Sequence, residues 1–165
     1  MNREFVKADT EKDKARFLQV LESANQRTAE KGEAQWLPCH LTAEAVFGEG
    51  VEPWMLLEEG VPAAVVLLVQ EDPVFWPDKA GEKELYIHRS AVAKGFEGRG
   101  LAHGVLDFAA SYARKLGIPL LRLDCKADRQ KLRQVYEAWG FRFVDLVEAD
   151  VPGEHLCNAR YEFTL

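Results

Sequence analysis

The sequence predicts a mixed α/β fold, one sheet of parallel and antiparallel strands with helices packed on it. Three observations carry this. Trp54–Glu58 and Ala63–Gln70 are apolar, strand-like runs joined by Glu59-Gly60-Val61-Pro62, which reads as an antiparallel hairpin. Leu85–Val92, an amphipathic stripe from Leu101 and Leu120–Asp124 form a strand–helix–strand unit, which requires parallel pairing. A further helix and two alternating strands, Phe141–Val147 and Ala159–Leu165, follow. The length of 165 residues suits one domain, taken as 1–165.

In order, Phe5–Ala8 reads as a short strand. Thr10-Glu-Lys-Asp13 resembles a capping box, and Phe17, Leu18, Leu21, Ala24 and Thr28 follow at helical spacing up to Gly32. Thr42 reads as the cap of a second, short helix through Phe47. The run AAVVLLV is continuously apolar, as in a strand covered on both faces. Glu71–Lys83 is a connection, in which packing is the expected role of Phe75 and Trp76. Leu101, Val105, Phe108, Ala109, Tyr112, Ala113 and Leu116 line one face of a helix stopped by Gly117. Asp128 is placed to cap the next helix, which carries Leu132, Val135, Tyr136 and Trp139 and ends at Gly140.

Composition narrows the function. The net charge of -6 argues against nucleic acid as the main partner. Residues 85–133 hold ten Lys/Arg and four Asp/Glu, a balance of +6, so the remainder carries -12. A basic segment suits an anionic ligand, and the acidic remainder a cationic one. No apolar run reaches the roughly 20 residues of a membrane helix, and the charged N-terminus lacks a secretory pattern. Cys39, Cys125 and Cys157 form neither a disulfide framework nor a zinc motif. A cytoplasmic location, no membrane partner and no metal are therefore expected.

The chemistry concentrates in Leu85–Ala102. Gly95, Gly98 and Gly100 lie between a strand and a helix start. Glycines let a phosphate approach the backbone, and the helix N-terminus offers unpaired N–H groups with a favourable dipole. This stretch therefore predicts an anion cradle. A dinucleotide site is one candidate, because Asp124 ends a strand after the glycines. However, His103 stands where that fingerprint wants its third glycine.

SAVAKGFEGRGLA, the helix after it, LRLDC and YEAWGF together resemble the GNAT (GCN5-related) N-acetyltransferase family. Its Q/R-x-x-G-x-G/A signature is matched by Glu97-Gly98-Arg99-Gly100-Leu101-Ala102, with Glu97 departing at the first position. Val92 stands eight residues before Gly100, and Tyr136, Gly140 and Phe141 match its Y-x-x-x-G-F ending. The resemblance implies an acyl-CoA N-acyltransferase-like fold with splayed central strands, and transfer of acetyl from acetyl-CoA to a primary amine. By the same resemblance, backbone N–H groups of Glu97–Ala102 hold the pyrophosphate and Ser90, Ala91 and Val92 pair with the pantetheine arm. An N–H near Ser90 stabilises the oxyanion. Glu97 is expected to turn outward, with Arg99 adding positive charge. Arg129 stands where the family often has Asn, and is either a phosphate ligand or solvated.

An amine nucleophile must lose a proton. His88 is the candidate base, the alternative being a strand histidine satisfied by a neighbour. Strand alternation puts Tyr86 and Ser90 on its face, as relay or pocket residues. The resemblance makes Tyr136 the acid that protonates the departing thiolate; otherwise it is a core tyrosine. The acceptor, a small-molecule or peptide amine, stays open, as does the oligomeric state, a homodimer among the options. The alternative function is an acyl-CoA sensor of the same fold without turnover.

Overall fold

A computed structural model describes residues 2–165. The fold is mixed α/β, as the sequence predicts, and the chain forms two compact units. The first runs through Leu68 and resumes over Arg89–Val105; the second comprises Val69–His88 and Leu106–Leu165. Strand β4, Glu84–Val92, passes from the second into the first at His88–Arg89, and helix α3, Leu101–Leu116, passes back at Val105–Leu106.

In the first unit β1 (Arg3–Lys7) pairs antiparallel with β2 (Glu52–Glu58), Phe5 facing Leu56. Strand β2 pairs antiparallel with β3 (Val61–Val69) through a two-residue turn. Glu59 and Gly60 both have positive φ there, 50° and 78°, the twist that a tight hairpin demands. The end of β4 approaches β3, Ala93 N–H donating to the Ala63 carbonyl at 2.8 Å. Ala63–Leu68 are all buried, as the continuous apolar run foretold. Helix α1 (Glu11–Ala29) starts where Thr10 Oγ1 accepts from Asp13 N–H. Its stripe of Phe17, Val20, Leu21 and Ala24 packs into one core with Met55, Leu57, Val65, Leu67, Ala91 and Ala93. Thr42 caps the short α2 (Ala43–Val46).

In the second unit the strand order is β4-β5-β7-β6, with β5 at Leu120–Lys126, β6 at Arg142–Val151 and β7 at Glu154–Thr164. Only the β4–β5 pair is parallel. Its register runs from Glu84 opposite Leu120 to Tyr86 opposite Arg122 and ends there, so His88 and Asp124 lie on strands that have parted. Three expectations need correction. Asp124 lies within β5 rather than at its end. The last two strands are longer than their alternation showed, and join through a turn at Pro152-Gly153. Asp128 does not cap α4 (Gln130–Trp139): Arg129 is its N-cap, without a side-chain bond to the helix. Asp128 instead pairs with the Arg129 guanidinium at 2.8 Å.

Candidate active site

Within the first unit the glycine stretch takes backbone that other residues resist. Gly95, Gly98 and Gly100 have φ of 93°, 75° and 74°, left-handed values that a Cβ penalises. The first intrahelical bond of α3 is Gly104 N–H to the Gly100 carbonyl, 3.0 Å. The N–H groups of Leu101, Ala102 and His103 thus precede the helical ladder and carry the positive end of its dipole.

Glu97, the signature's odd member, folds back on its own loop. Its Oε2 accepts from Gly95 N–H at 2.9 Å, and its Oε1 stands 3.1 Å from Arg27 Nε on α1. Its own N–H first, then that of Gly95 and the Arg27 and Lys31 charges, hold the carboxyl below the usual carboxylate range against the opposing effect of burial. A carboxylate engaged in this way does not oppose an anion on the helix N-terminus. Arg99 departs from expectation. Its guanidinium pairs with the buried Glu58, which also takes Arg3 Nε at 3.0 Å, and it covers the Phe96 ring at 5.0 Å. Arg3 Nη2 further donates to the Arg99 carbonyl at 3.1 Å. The Arg99 charge is therefore committed to anchoring the loop on β2.

Arg89 interrupts β4 with a φ of 51°, rare for a residue with a side chain. Its guanidinium donates to the His40 carbonyl at 3.2 Å and lies 5.6 Å from the Trp36 ring centroid. A left-handed residue is a local irregularity in the two-residue period of the strand. Beyond it Ala91 is buried, and Ser90 and Val92 are partly exposed.

The second unit contains His88, Tyr136 and Arg129. His88 Nε2 stands 3.1 Å from Asp72 Oδ2. Asp72 is buried, and its Oδ1 accepts from the N–H groups of Val74 and Phe75 at 3.1 and 3.0 Å. Burial pushes its carboxyl up, but the His88 imidazole and the two N–H donors outweigh this and leave it below the usual range. Asp124 is the third member: donor atoms of Asp72, His88 and Asp124 all lie within 4.8 Å of one another. Asn158 Nδ2 donates to Asp124 Oδ2 at 2.7 Å, while Asp124 Oδ1 and Asn158 Oδ1 are buried without a hydrogen-bond partner. Burial raises the Asp124 carboxyl, helped by the Asp72 charge and opposed by His88, Asn158 and Arg160.

Tyr86 stacks on His88 at 6.4 Å but donates its hydroxyl to Glu84 Oε1 at 3.1 Å. Burial and the Glu84 charge push that hydroxyl to about 12 despite Arg122, so it is tied to Glu84 rather than relaying to His88. Tyr136 is buried between the rings of Phe141 and Tyr161, centroids 6.2 and 6.1 Å away. Burial, then the charges of Cys125, Asp124 and Tyr161, raise its hydroxyl far above the ordinary tyrosine range, so it keeps its proton. Burial, then the Asp124 charge, pushes the Cys125 thiol up to about 12, so it is a poor nucleophile.

Asp72 escaped the sequence reading because only the fold brings the 71–83 connection against β4. Trp76, four residues on, does the holding. It is buried, with Arg122 and Arg160 at 5.0 and 4.6 Å from its ring. Arg122 also donates to the Lys79 carbonyl at 2.7 Å, and Arg160 to that of Phe75 at 3.1 Å and to Asp78 at 2.7 Å. Beside this segment opens a cleft of about 700 Å³ lined by Gln70, Asp72, Trp76, Glu84, Tyr86 and Ile118 among others; of the sequence-predicted site residues Tyr86 lines it, and His88, Ser90, Tyr136 and the glycine stretch do not.

Comparison with known proteins decides the family. Residues 16–141 match the model of the acetyltransferase (GNAT) family. The chain belongs to that family. The match spans His88, the glycine stretch and Tyr136, and leaves the dinucleotide reading without support. The chain is 37% identical over 98 residues to an uncharacterised N-acetyltransferase, YesJ, of Bacillus subtilis (strain 168). The match covers 57% of this chain and 53% of YesJ, so the chain spans about half the length of that relative. A GNAT acetyltransferase structure from Listeria monocytogenes 4b F2365 superposes with a TM-score of 0.73 at 21% identity, covering 99% of this chain and all of that one. The ribosomal-protein-S18-alanine N-acetyltransferase of Escherichia coli gives 0.68 at 15% identity, covering 99% and 94%. At such identities these structures speak for the fold. No helix among the described residues is long and apolar enough to cross a membrane.

Proposed function

We propose that residues 1–165 form one acetyl-CoA-dependent N-acetyltransferase domain acting in the cytoplasm on a primary amine of a small molecule or peptide. The observation that carries this reading is the β4–α3 connection. Three left-handed glycines lead to a helix N-terminus, and the signature carboxylate is turned onto Gly95 and Arg27. A pyrophosphate suits such a cradle, because main-chain donors and the helix dipole favour it and no side-chain anion competes.

Acetyl-CoA, when bound, supplies an acetyl group activated as a thioester. Backbone N–H groups of Glu97–Ala102 hold its diphosphate. The Ser90–Val92 backbone orients its arm, and an N–H near Ser90 stabilises the oxyanion. Arg129, already engaged by Asp128, gives at most a peripheral phosphate contact. His88 takes the proton of the attacking amine, and Tyr136, which keeps its own proton, gives it to the departing thiolate. No side chain need form a covalent intermediate.

Thiol release from acetyl-CoA with a panel of small amines and peptides tests this. Amine-dependent release is the expected result. Acetyl-CoA binding without release, on a panel that includes the true acceptor, assigns the protein as an acyl-CoA sensor instead.

A further inference from the structure

Beside the proposed base lie two carboxyl groups that are held in different ways, and the difference is informative. Asp72 comes from the β3–β4 connection. Its Oδ1 is fixed by two backbone N–H groups, and its Oδ2, buried with no other partner, stands 3.1 Å from His88 Nε2. Asp124 comes from β5, where β4 and β5 have parted. One of its oxygens is held by Asn158 and the other has no hydrogen-bond donor. Two ionised carboxylates this close, both shielded from water, repel strongly. A proton on one carboxyl or on the imidazole relieves this, and with His88 neutral, as a base must be, it falls to a carboxyl. Asp72 accepts two N–H bonds and faces the imidazole, which favours its ionised form; Asp124 accepts one and lacks a cation of its own at contact distance. Tyr86 also stacks on His88 and is bonded to Glu84, and the Arg160 charge acts on Asp124 without pairing with it. Arg160 is paired with Asp78 and Asp145.

We propose that Asp72 and Asp124 are positioning residues for His88 with unequal tasks: Asp72, ionised, binds the Nε2 proton and so leaves Nδ1 as the proton acceptor, while Asp124 stays protonated. A carboxylate on Nε2 fixes both the tautomer and the ring plane, and it stabilises the imidazolium formed when the amine proton arrives. Protonated Asp124 fills the space on β5 without a second negative charge, which would make the imidazolium too stable to give its proton up. This assignment rests on the reading of His88 as the base. Its proton positions can nevertheless be measured without any acceptor.

The test is an NMR titration of the histidine rings in the full chain, with His88 assigned among the four histidines by His88→Gln. In the wild type, ¹⁵N shifts should show neutral His88 carrying its proton on Nε2. Asp72→Asn keeps the oxygen that caps the Val74–Phe75 turn, so the fold is retained. It should lower the His88 midpoint by on the order of one pH unit, the size expected from losing one adjacent charge. Asp124→Asn, a neutral mimic of a protonated carboxyl, should leave the midpoint within a few tenths of a pH unit, a shift far smaller than that loss. An unchanged midpoint in Asp72→Asn, or equal shifts in both variants, overturns the assignment. So does selective, saturable perturbation of the His88 signals by stoichiometric Zn²⁺, which would make the three side chains a cation site. Amine-dependent thiol release bears separately on the acetyltransferase reading. If that activity is present while the two variants titrate alike, only the present inference fails.

Discussion

Replacing Trp76 with Ala tests how the fold positions Asp72. The indole is 1% exposed and lies between the Arg122 and Arg160 guanidiniums. Its N–H on the main chain donates to the Asp72 carbonyl at 3.0 Å. A buried tryptophan removes about 200 Å² from water, which at about 25 cal/mol per Å² contributes about 5 kcal/mol. The two cation–π contacts add about 0.5–2 kcal/mol each. Part of this is recovered as neighbours relax into the cavity, so the expected loss is about 4–5 kcal/mol. That is a large share of the roughly 5–15 kcal/mol of an ordinary domain. Trp76→Phe keeps an aromatic face between the arginines and gives up an indole N–H that has no partner. It should lose about 1–2 kcal/mol, as for a modest shape change in a packed core. Urea unfolding gives both numbers. At temperatures where Trp76→Ala is folded, amine-dependent turnover should fall at least about tenfold, because a loosened Asp72 no longer orients the base. Acetyl-CoA affinity should be unchanged. A folded Trp76→Ala protein that turns over like the wild type would refute the positioning role of this segment.

Further perturbations address the other parts. Tyr136→Phe should lower kcat by about 10²–10⁴, the usual weight of a general acid, with acetyl-CoA affinity nearly intact by calorimetry; equal turnover would remove Tyr136 from that role. Glu58→Gln strips the shared partner from Arg3 and Arg99. The affinity for acetyl-CoA should drop several-fold while kcat at saturation is kept, and unchanged affinity would show that the glycine stretch holds without this anchor. In thiol titration at about pH 8, well below the Cys125 value of about 12, the exposed Cys39 and Cys157 should react and Cys125 only on unfolding. Three fast thiols would contradict its burial. The carboxyls of Asp72, Asp78 and Asp145 lie below the usual range in the folded state, so their stabilisation is present above about pH 4 and is lost as pH falls through their folded values. Asp78 and Asp145 owe this mainly to Arg160. The urea midpoint should therefore fall on acidification, and less so in Asp145→Asn; identical pH profiles would dismiss that pair.

Much of the fold is legible locally. Glu59-Gly60 between two apolar runs, Thr10 ahead of Phe17 and Leu21, and Gly140 after Trp139 each act within a few residues, and each was readable. The glycine stretch was readable for the same reason, since its positive φ values are a local demand. What could not be read depends on distant partners. Nothing near Asp72 in the sequence announces His88, because the contact exists only once Trp76 has docked on β5 and β7. Arg99 looked available to an anion because its partner Glu58 lies on another strand. The positive φ of Arg89 within β4 is likewise signalled by no sequence pattern. Asp128 is not the cap because α4 starts one residue later than the spacing suggests, with Arg129 as its N-cap.

The central claim is that the β4–α3 connection binds acetyl-CoA through its backbone. Calorimetric titration of acetyl-CoA into the wild type and Gly100→Val measures this directly, since a branched side chain at a φ of 74° forces the turn out of shape. Saturable binding by the wild type, weakened at least about tenfold in a Gly100→Val protein of unchanged circular dichroism, is the predicted result. No binding by the wild type, or equal binding by both, would contradict the account.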